Sequence, residues 1–125
     1  MMKTNDVDSW SVGDVRLTSR FLVDLLLRRT ESAGGFATVL AKGDEHSGTI
    51  LVQCSERGVT GPLLERRFSL TGHYIWEAVG PEDPKDGESR ANYQERRQKA
   101  DPDLWIVELD IADATQLVAE WAALT

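Results

Sequence analysis

The densest group of potential ligands is a run of carboxylates near the C-terminal end: Asp101, Asp103, Glu108 and Asp110, with Asp113 close behind. Clustered carboxylates are what a hard divalent cation takes as ligands. A cation held there could support metal-assisted hydrolysis. Strand alternation weakens that reading: Glu108 and Asp110 share a face, but Asp101 and Asp103 sit in the turn before the strand. The favoured reading has Asp101 and Asp103 shaping the turn around Pro102 and Asp110 capping the last helix. Three arginine pairs occur, Arg28-Arg29, Arg66-Arg67 and Arg96-Arg97. Converging guanidiniums grip a carboxylate or phosphate in a bidentate fork. A contact from Arg97 to Asp101 or Asp103 would instead lock a helix-to-strand junction. Asp44, Glu45 and His46 stand together, but a single histidine is a thin transition-metal set. Cys54 would need a neighbouring base to act as a nucleophile. It alternates in phase with Ile50 and Val52, which is the pattern of a buried thiol. Lys42-Gly43-Asp44 ahead of Gly48 lacks the spacing of a phosphate-binding loop.

The elements that must position these groups follow from periodicity. Gly35 to Cys54 holds two apolar, β-branched runs around a polar turn with a glycine near each end, which predicts a β-hairpin with a longer loop. Before it, Phe21, Leu22, Leu25, Leu26 and Arg29 keep helical spacing. Thr18 or Ser19 is the N-cap, and Gly34-Gly35 is the stop. After the hairpin come a short strand from Val59, limited by Pro62, and a strand His73–Val79. A solvated helix Glu88–Lys99 has Ala91 and Tyr93 on its inner side. A strand Leu104–Asp110 and a final helix from Ala114, with a stripe of Ala114, Leu117, Trp121 and Leu124, complete the chain. Trp76 and Trp105 fit the core pattern. The order α-β-β-β-β-α-β-α predicts an α+β fold with a mostly antiparallel sheet of about five strands and helices packed on it. Residues 1–14 lack periodicity and read as a flexible N-terminal tail. Residues 15–125 read as a single domain.

Composition narrows the function. A net charge of -7 argues against non-specific nucleic-acid binding and against anionic membranes. The longest apolar run, Phe21 to Leu27, is broken by Asp24 and is too short to span a bilayer. A single cysteine cannot form an internal disulfide, which fits a reducing compartment. No signal-peptide order of basic, apolar and small residues opens the chain. The expected location is cytoplasmic.

Several blocks resemble a known family. Arg16-Leu-Thr-Ser with Phe21 and Leu27-Arg-Arg, then Gly35-Gly-Phe-Ala, and then Lys42-Gly-Asp with Gly48-Thr-Ile-Leu-Val all match. So does Arg97 leading into Asp101-Pro-Asp-Leu-Trp-Ile-Val-Glu-Leu, which is the most specific block. Together they are similar to the small bacterial family called domain of unknown function 1491, over about Val15 to Asp110. The resemblance implies a cytosolic bacterial protein made of one small domain. It implies no activity.

With no catalytic set above background, the leading expectation is a non-catalytic protein-interaction module acting as a homodimer and binding another, unknown protein. Trp10, Trp121 and Leu124 are its candidate interface residues. Arg28, Arg29, Arg97, Asp101, Asp103 and Glu108 are the candidate binding residues. No cofactor and no dedicated metal are expected. Two alternatives stand beside it. One is a divalent-metal-dependent hydrolase or phosphodiesterase using Asp101, Asp103 and Glu108. The other is a small-anion-binding protein using the arginine pairs.

Overall fold

The computed structural model describes residues 18–81 and 87–122. Helix α1 spans Ser19–Ser32, and strands β1 Phe36–Ala41, β2 Ile50–Glu56, β3 Val59–Phe68 and β4 Tyr74–Val79 follow. Helix α2 covers Gly87–Ala100, strand β5 Trp105–Asp110 and helix α3 Ala114–Ala122. The element order is therefore the expected one, and the fold is α+β. Trp10, the tail 1–14 and Leu124 lie outside the described residues.

The sheet order is β1-β5-β2-β3-β4. It is mixed: β5 is antiparallel to β1 but parallel to β2, while β2-β3 and β3-β4 are antiparallel. The predicted hairpin across Gly35 to Cys54 is thus not a hairpin, because β5 inserts between its two strands. Burial supplies the reason. β2 is buried from Ile50 to Ser55, and β5 is buried at Trp105, Ile106, Val107 and Leu109. Strands apolar on both faces belong in the middle of a sheet with cover on each side. β1 exposes most of its residues, so it takes the edge.

The loop 42–49 crosses the start of β5 to make this possible. Asp44 N donates to Asp103 O at 3.0 Å, Trp105 N to Thr49 O at 2.8 Å, and Trp105 Nε1 to Asp44 O at 2.7 Å. The crossing is so close that a Cβ at Gly43 or Gly48 would collide with Asp103 O. Glycine is required at both positions because backbone meets backbone there.

One face of the sheet carries Ile50, Val52, Cys54, Leu64, Trp105, Val107 and Leu109, covered by Leu22, Val23 and Leu26 of α1 and by Ala114 and Val118 of α3. Trp76 packs against this core from its margin. Thr18 caps α1, its Oγ1 accepting from Phe21 N at 3.1 Å. The other face carries Leu51, Leu63, Leu104 and Ile106, with Tyr93 of α2 packed on them. β3 is longer than predicted. Pro62 falls where the β2–β3 register shifts, between Gln53 and Ser55, so its missing N–H interrupts no regular ladder.

Candidate functional site

The candidate residues fall on opposite sides of the sheet. Arg28 and Arg29 are exposed on α1, above the first face. Arg97 is on α2, beneath the second. The sheet separates them, so the three guanidiniums do not converge.

Beneath α2 lies a polar layer. Leu51, Glu65 and Glu77 are aligned across β2, β3 and β4 on this face. Arg97 Nη1 donates to Glu65 Oε1 at 2.7 Å and to Tyr93 Oη at 2.9 Å. Arg67 reaches the same Glu65 oxygen at 3.4 Å and Glu77 at 3.1 Å. Gln94 Nε2 donates to Gln53 Oε1 at 3.0 Å, and Gln53 in turn donates to Gly61 O at 2.9 Å. Burial alone pushes the Glu65 carboxyl up. The hydrogen bonds from Arg97 and Arg67, with their charges, outweigh that and hold it below the ordinary range. The inner side of α2 is therefore Arg90, Tyr93, Gln94 and Arg97. Ala91, expected there, is exposed, because α2 packs on polar partners as much as on apolar ones. Arg90 is 4% exposed, with Nε and Nη1 lacking hydrogen-bond partners. Strand and helix periodicity offer no signal for such a residue, since an arginine in a polar helix reads as solvated.

The carboxylates are distributed among structural tasks. Asp101 Oδ1 accepts from Asp103 N at 3.0 Å and shapes the turn before β5. Glu108 Oε2 accepts from Ser55 Oγ at 3.0 Å. Asp110 accepts from Arg57 N at 2.7 Å and Gly58 N at 3.0 Å. It thereby closes the β2–β3 turn rather than capping α3. The anticipated contact of Arg97 with Asp101 or Asp103 is replaced by the contact with Glu65. Asp44 accepts from His46 N and Ser47 N, and these backbone bonds lower its pKa. Among the described residues, no three His, Cys, Asp or Glu side chains gather in a way that could hold a metal ion. Cys54 is buried, and desolvation pushes its thiol up, only partly offset by a Thr115 hydrogen bond and the Arg90 charge. A thiol so placed is a poor nucleophile. No helix of the described residues is long and apolar enough to cross a membrane.

Among the described residues β1 is an edge strand, paired on one side only, with β5. Phe36 is 77% exposed, Leu40 50% and Val39 38%. The strand Phe-Ala-Thr-Val-Leu-Ala carries no charge and no proline. The opposite edge, β4, has Glu77 at its centre and runs into Gly80-Pro81. Trp121, a predicted interface residue, lies in the last turn of α3, and its side chain is outside the described part. The sequence reading missed the edge because it paired β1 with β2. The signal was available in the contrast between β1 and the doubly apolar β5.

Comparison with known proteins places this geometry in context. A family described as "Protein of unknown function (DUF1491)" matches residues 17–119. The crystal structure of a DUF1491 family protein from Caulobacter crescentus is similar, with 32% identity and a TM-score of 0.70 over 78% of this chain and 91% of that one. An NMR structure of a DUF1491 family protein from the same organism gives a TM-score of 0.69 at 32% identity, covering 80% of this chain and 90% of that one. The solution structure of a protein from A. tumefaciens gives 0.65 at 32% identity, covering 79% and 89%. No curated protein matches the chain.

Proposed function

The chain belongs to the DUF1491 family, and for this member we propose a non-catalytic interaction module that pairs with a second copy of itself through β1. The observation that carries this reading is the uncharged, apolar edge strand, whose outer row of backbone N–H and C=O groups meets no strand among the described residues. Such an edge is a template for adding a strand, and proteins that leave an edge unused protect it with charge, proline or bulges. β4 has a charge at its centre, whereas β1 has only a register shift at its far end, between Val39 and Ala41.

A second copy is the occupant that fits. An antiparallel pair about a twofold axis presents the same patch twice, so Phe36 of one protomer approaches Ala41 of its partner and the axis falls near Thr38 and Val39. A chain of net charge -7 meets itself with least repulsion where no acid is present. Helix α1, packed over β1, presents Arg20, Arg28 and Arg29 against only Asp24 and Glu31. Phe36 supplies the aromatic anchor expected of such a contact.

The test is mass in solution by light scattering and native mass spectrometry. Wild type at high micromolar concentration is expected at twice the 13.9 kDa chain mass. The double variant Phe36→Lys and Leu40→Lys, which places charge on exposed edge positions, is expected at the single mass with its far-ultraviolet spectrum unchanged. A wild-type protein that stays at the single mass ends the proposal.

A further inference from the structure

From an independent part of the molecule, we infer that the cleft between the loop 44–49 and the β3–β4 hairpin binds a small oxyanion, a phosphate or carboxylate group, through the guanidinium of Arg66. The cleft encloses about 320 Å³ and is lined by His46, Ser47, Thr49, Arg66, Phe68 and Tyr74 among others. That is the lower end of the range for small-ligand sites, which run from about 300 to 1,000 Å³.

The argument starts from charge. Arg66 follows Leu64 by two on β3, so it faces the α1 side of the sheet while Arg67 faces α2. Arg20, Arg67 and Arg97 each have a carboxylate within 4 Å. Arg66 has none among the described residues. Its guanidinium lies 3.5 Å from the centroid of the Tyr74 ring, and that ring packs edge-on against Phe68 at 5.0 Å. The ring contact and a hydrogen bond to Tyr74 hold the guanidinium at the cleft, and arginine is the side chain suited to planar recognition of an oxyanion. Partial burial strips water from the cation and lowers its pKa, with Tyr74 pulling the other way. An anion would restore what desolvation removes.

The rest of the lining agrees in sign. Among the described residues no carboxylate lines the cleft. The two acids of the adjoining loop are engaged elsewhere: Asp44 by the N–H groups of His46 and Ser47, Glu45 by Arg20 at 3.0 Å and Lys42 at 3.6 Å. Thr49 adds a hydroxyl group, and Phe68 and Tyr74 add an aromatic wall. The start of α1 borders the cleft but does not supply the site. Its N–H groups are already used: Ser19 N by His46 O, Arg20 N by Glu45 O, and Phe21 N by Thr18 Oγ1. The guanidinium carries the recognition, as a cation that touches Tyr74 but has no carboxylate partner among the described residues.

Titration of wild type with inorganic phosphate and, separately, with citrate tests this at constant ionic strength, read by thermal shift and by backbone amide shifts. A ligand that binds only the folded state raises the melting temperature along a saturating curve. Amides of Ser47, Thr49 and Tyr74 are expected to move together. Arg66→Gln is expected to weaken binding about tenfold or more, as loss of a charge-assisted bond does. Arg67→Gln, on the other face, is expected to leave it unchanged. Saturation by phosphate alone or by citrate alone tells which oxyanion the cleft prefers. A linear response to both anions, or equal binding by wild type and Arg66→Gln, overturns the assignment.

Discussion

Replacing Glu65 by glutamine tests the polar layer beneath α2, because it keeps the shape and removes only the charge. The Glu65 side chain is 10% exposed and Arg97 27% exposed, with 2.7 Å between their polar atoms. A hydrogen bond to a charged group is worth about 1.5–3 kcal/mol and a neutral one about 1. The substitution therefore forfeits roughly 1 kcal/mol in the bond. Leaving Arg97 without its counter-charge costs about as much again, well below the value for a fully buried pair because Arg97 is partly solvated. Arg67 adds little, since it is 48% exposed and keeps its 3.1 Å contact with Glu77. The loss comes to about 2 kcal/mol. With an unfolding entropy of about 2.1 cal/mol/K per residue over 125 residues, that lowers Tm by about 8 °C at pH 7. The pH dependence has a definite sign. A carboxyl held below its ordinary value in the folded state stabilises above the unfolded value, and that contribution disappears as pH falls through the folded value. The gap between wild type and Glu65→Gln should hold from neutral pH to about 5 and close below about 4. Thermal unfolding followed by circular dichroism between pH 7 and 3 measures it. A gap smaller than about 2 °C at pH 7, or one that persists undiminished at low pH, would refute the reasoning.

Gly48→Ala should destabilise by about 1–3 kcal/mol, because its methyl group meets Asp103 O where the loop crosses β5; denaturant midpoints at constant m-value report it. Leu63→Ala, at a fully buried position beneath α2, should cost about 2–5 kcal/mol in the same assay. Cys54 should resist a thiol reagent in the native protein and react at once in denaturant, since it is 2% exposed with its thiol pushed up by burial.

Local readings of the sequence survived where the deciding interaction is local. Thr18 caps α1 and the helix stops before Gly34 because both signals lie within a turn of the residues they govern. The β1–β2 hairpin failed because nearness in sequence stood in for pairing, whereas β5, far along the chain, had two apolar faces to bury. Its run Leu104-Trp-Ile-Val was readable as a central strand, and with that the edge position of β1 follows. The arginine pairs illustrate a second limit. Consecutive residues on a strand point to opposite faces, so Arg66 and Arg67 could never have met at one ligand, and strand periodicity alone says so. The partners of Arg97 and Gln94, by contrast, depend on how α2 crosses β2 and β3, which no periodicity encodes.

What binds is then decided by which groups remain unsaturated. On the α2 side the acids have local answers: Glu65 holds two arginines, Glu77 holds Arg67, and Glu108 accepts a serine hydroxyl. A divalent cation arriving at Asp101, Asp110 or Glu108 would have to displace hydrogen bonds that shape the turn before β5, close the β2–β3 turn or tie β5 to β2. Asp103 is exposed, and among the described residues no group of three His, Cys, Asp or Glu forms around it. On the α1 side the balance is reversed. Among the described residues Arg66 has no acid beside it, and the outer edge of β1 has no strand. An anion and a second protomer are the two species that would complete those valences, and they do so at separate places, so that Arg66→Gln and the paired lysine substitutions at Phe36 and Leu40 should act independently of each other.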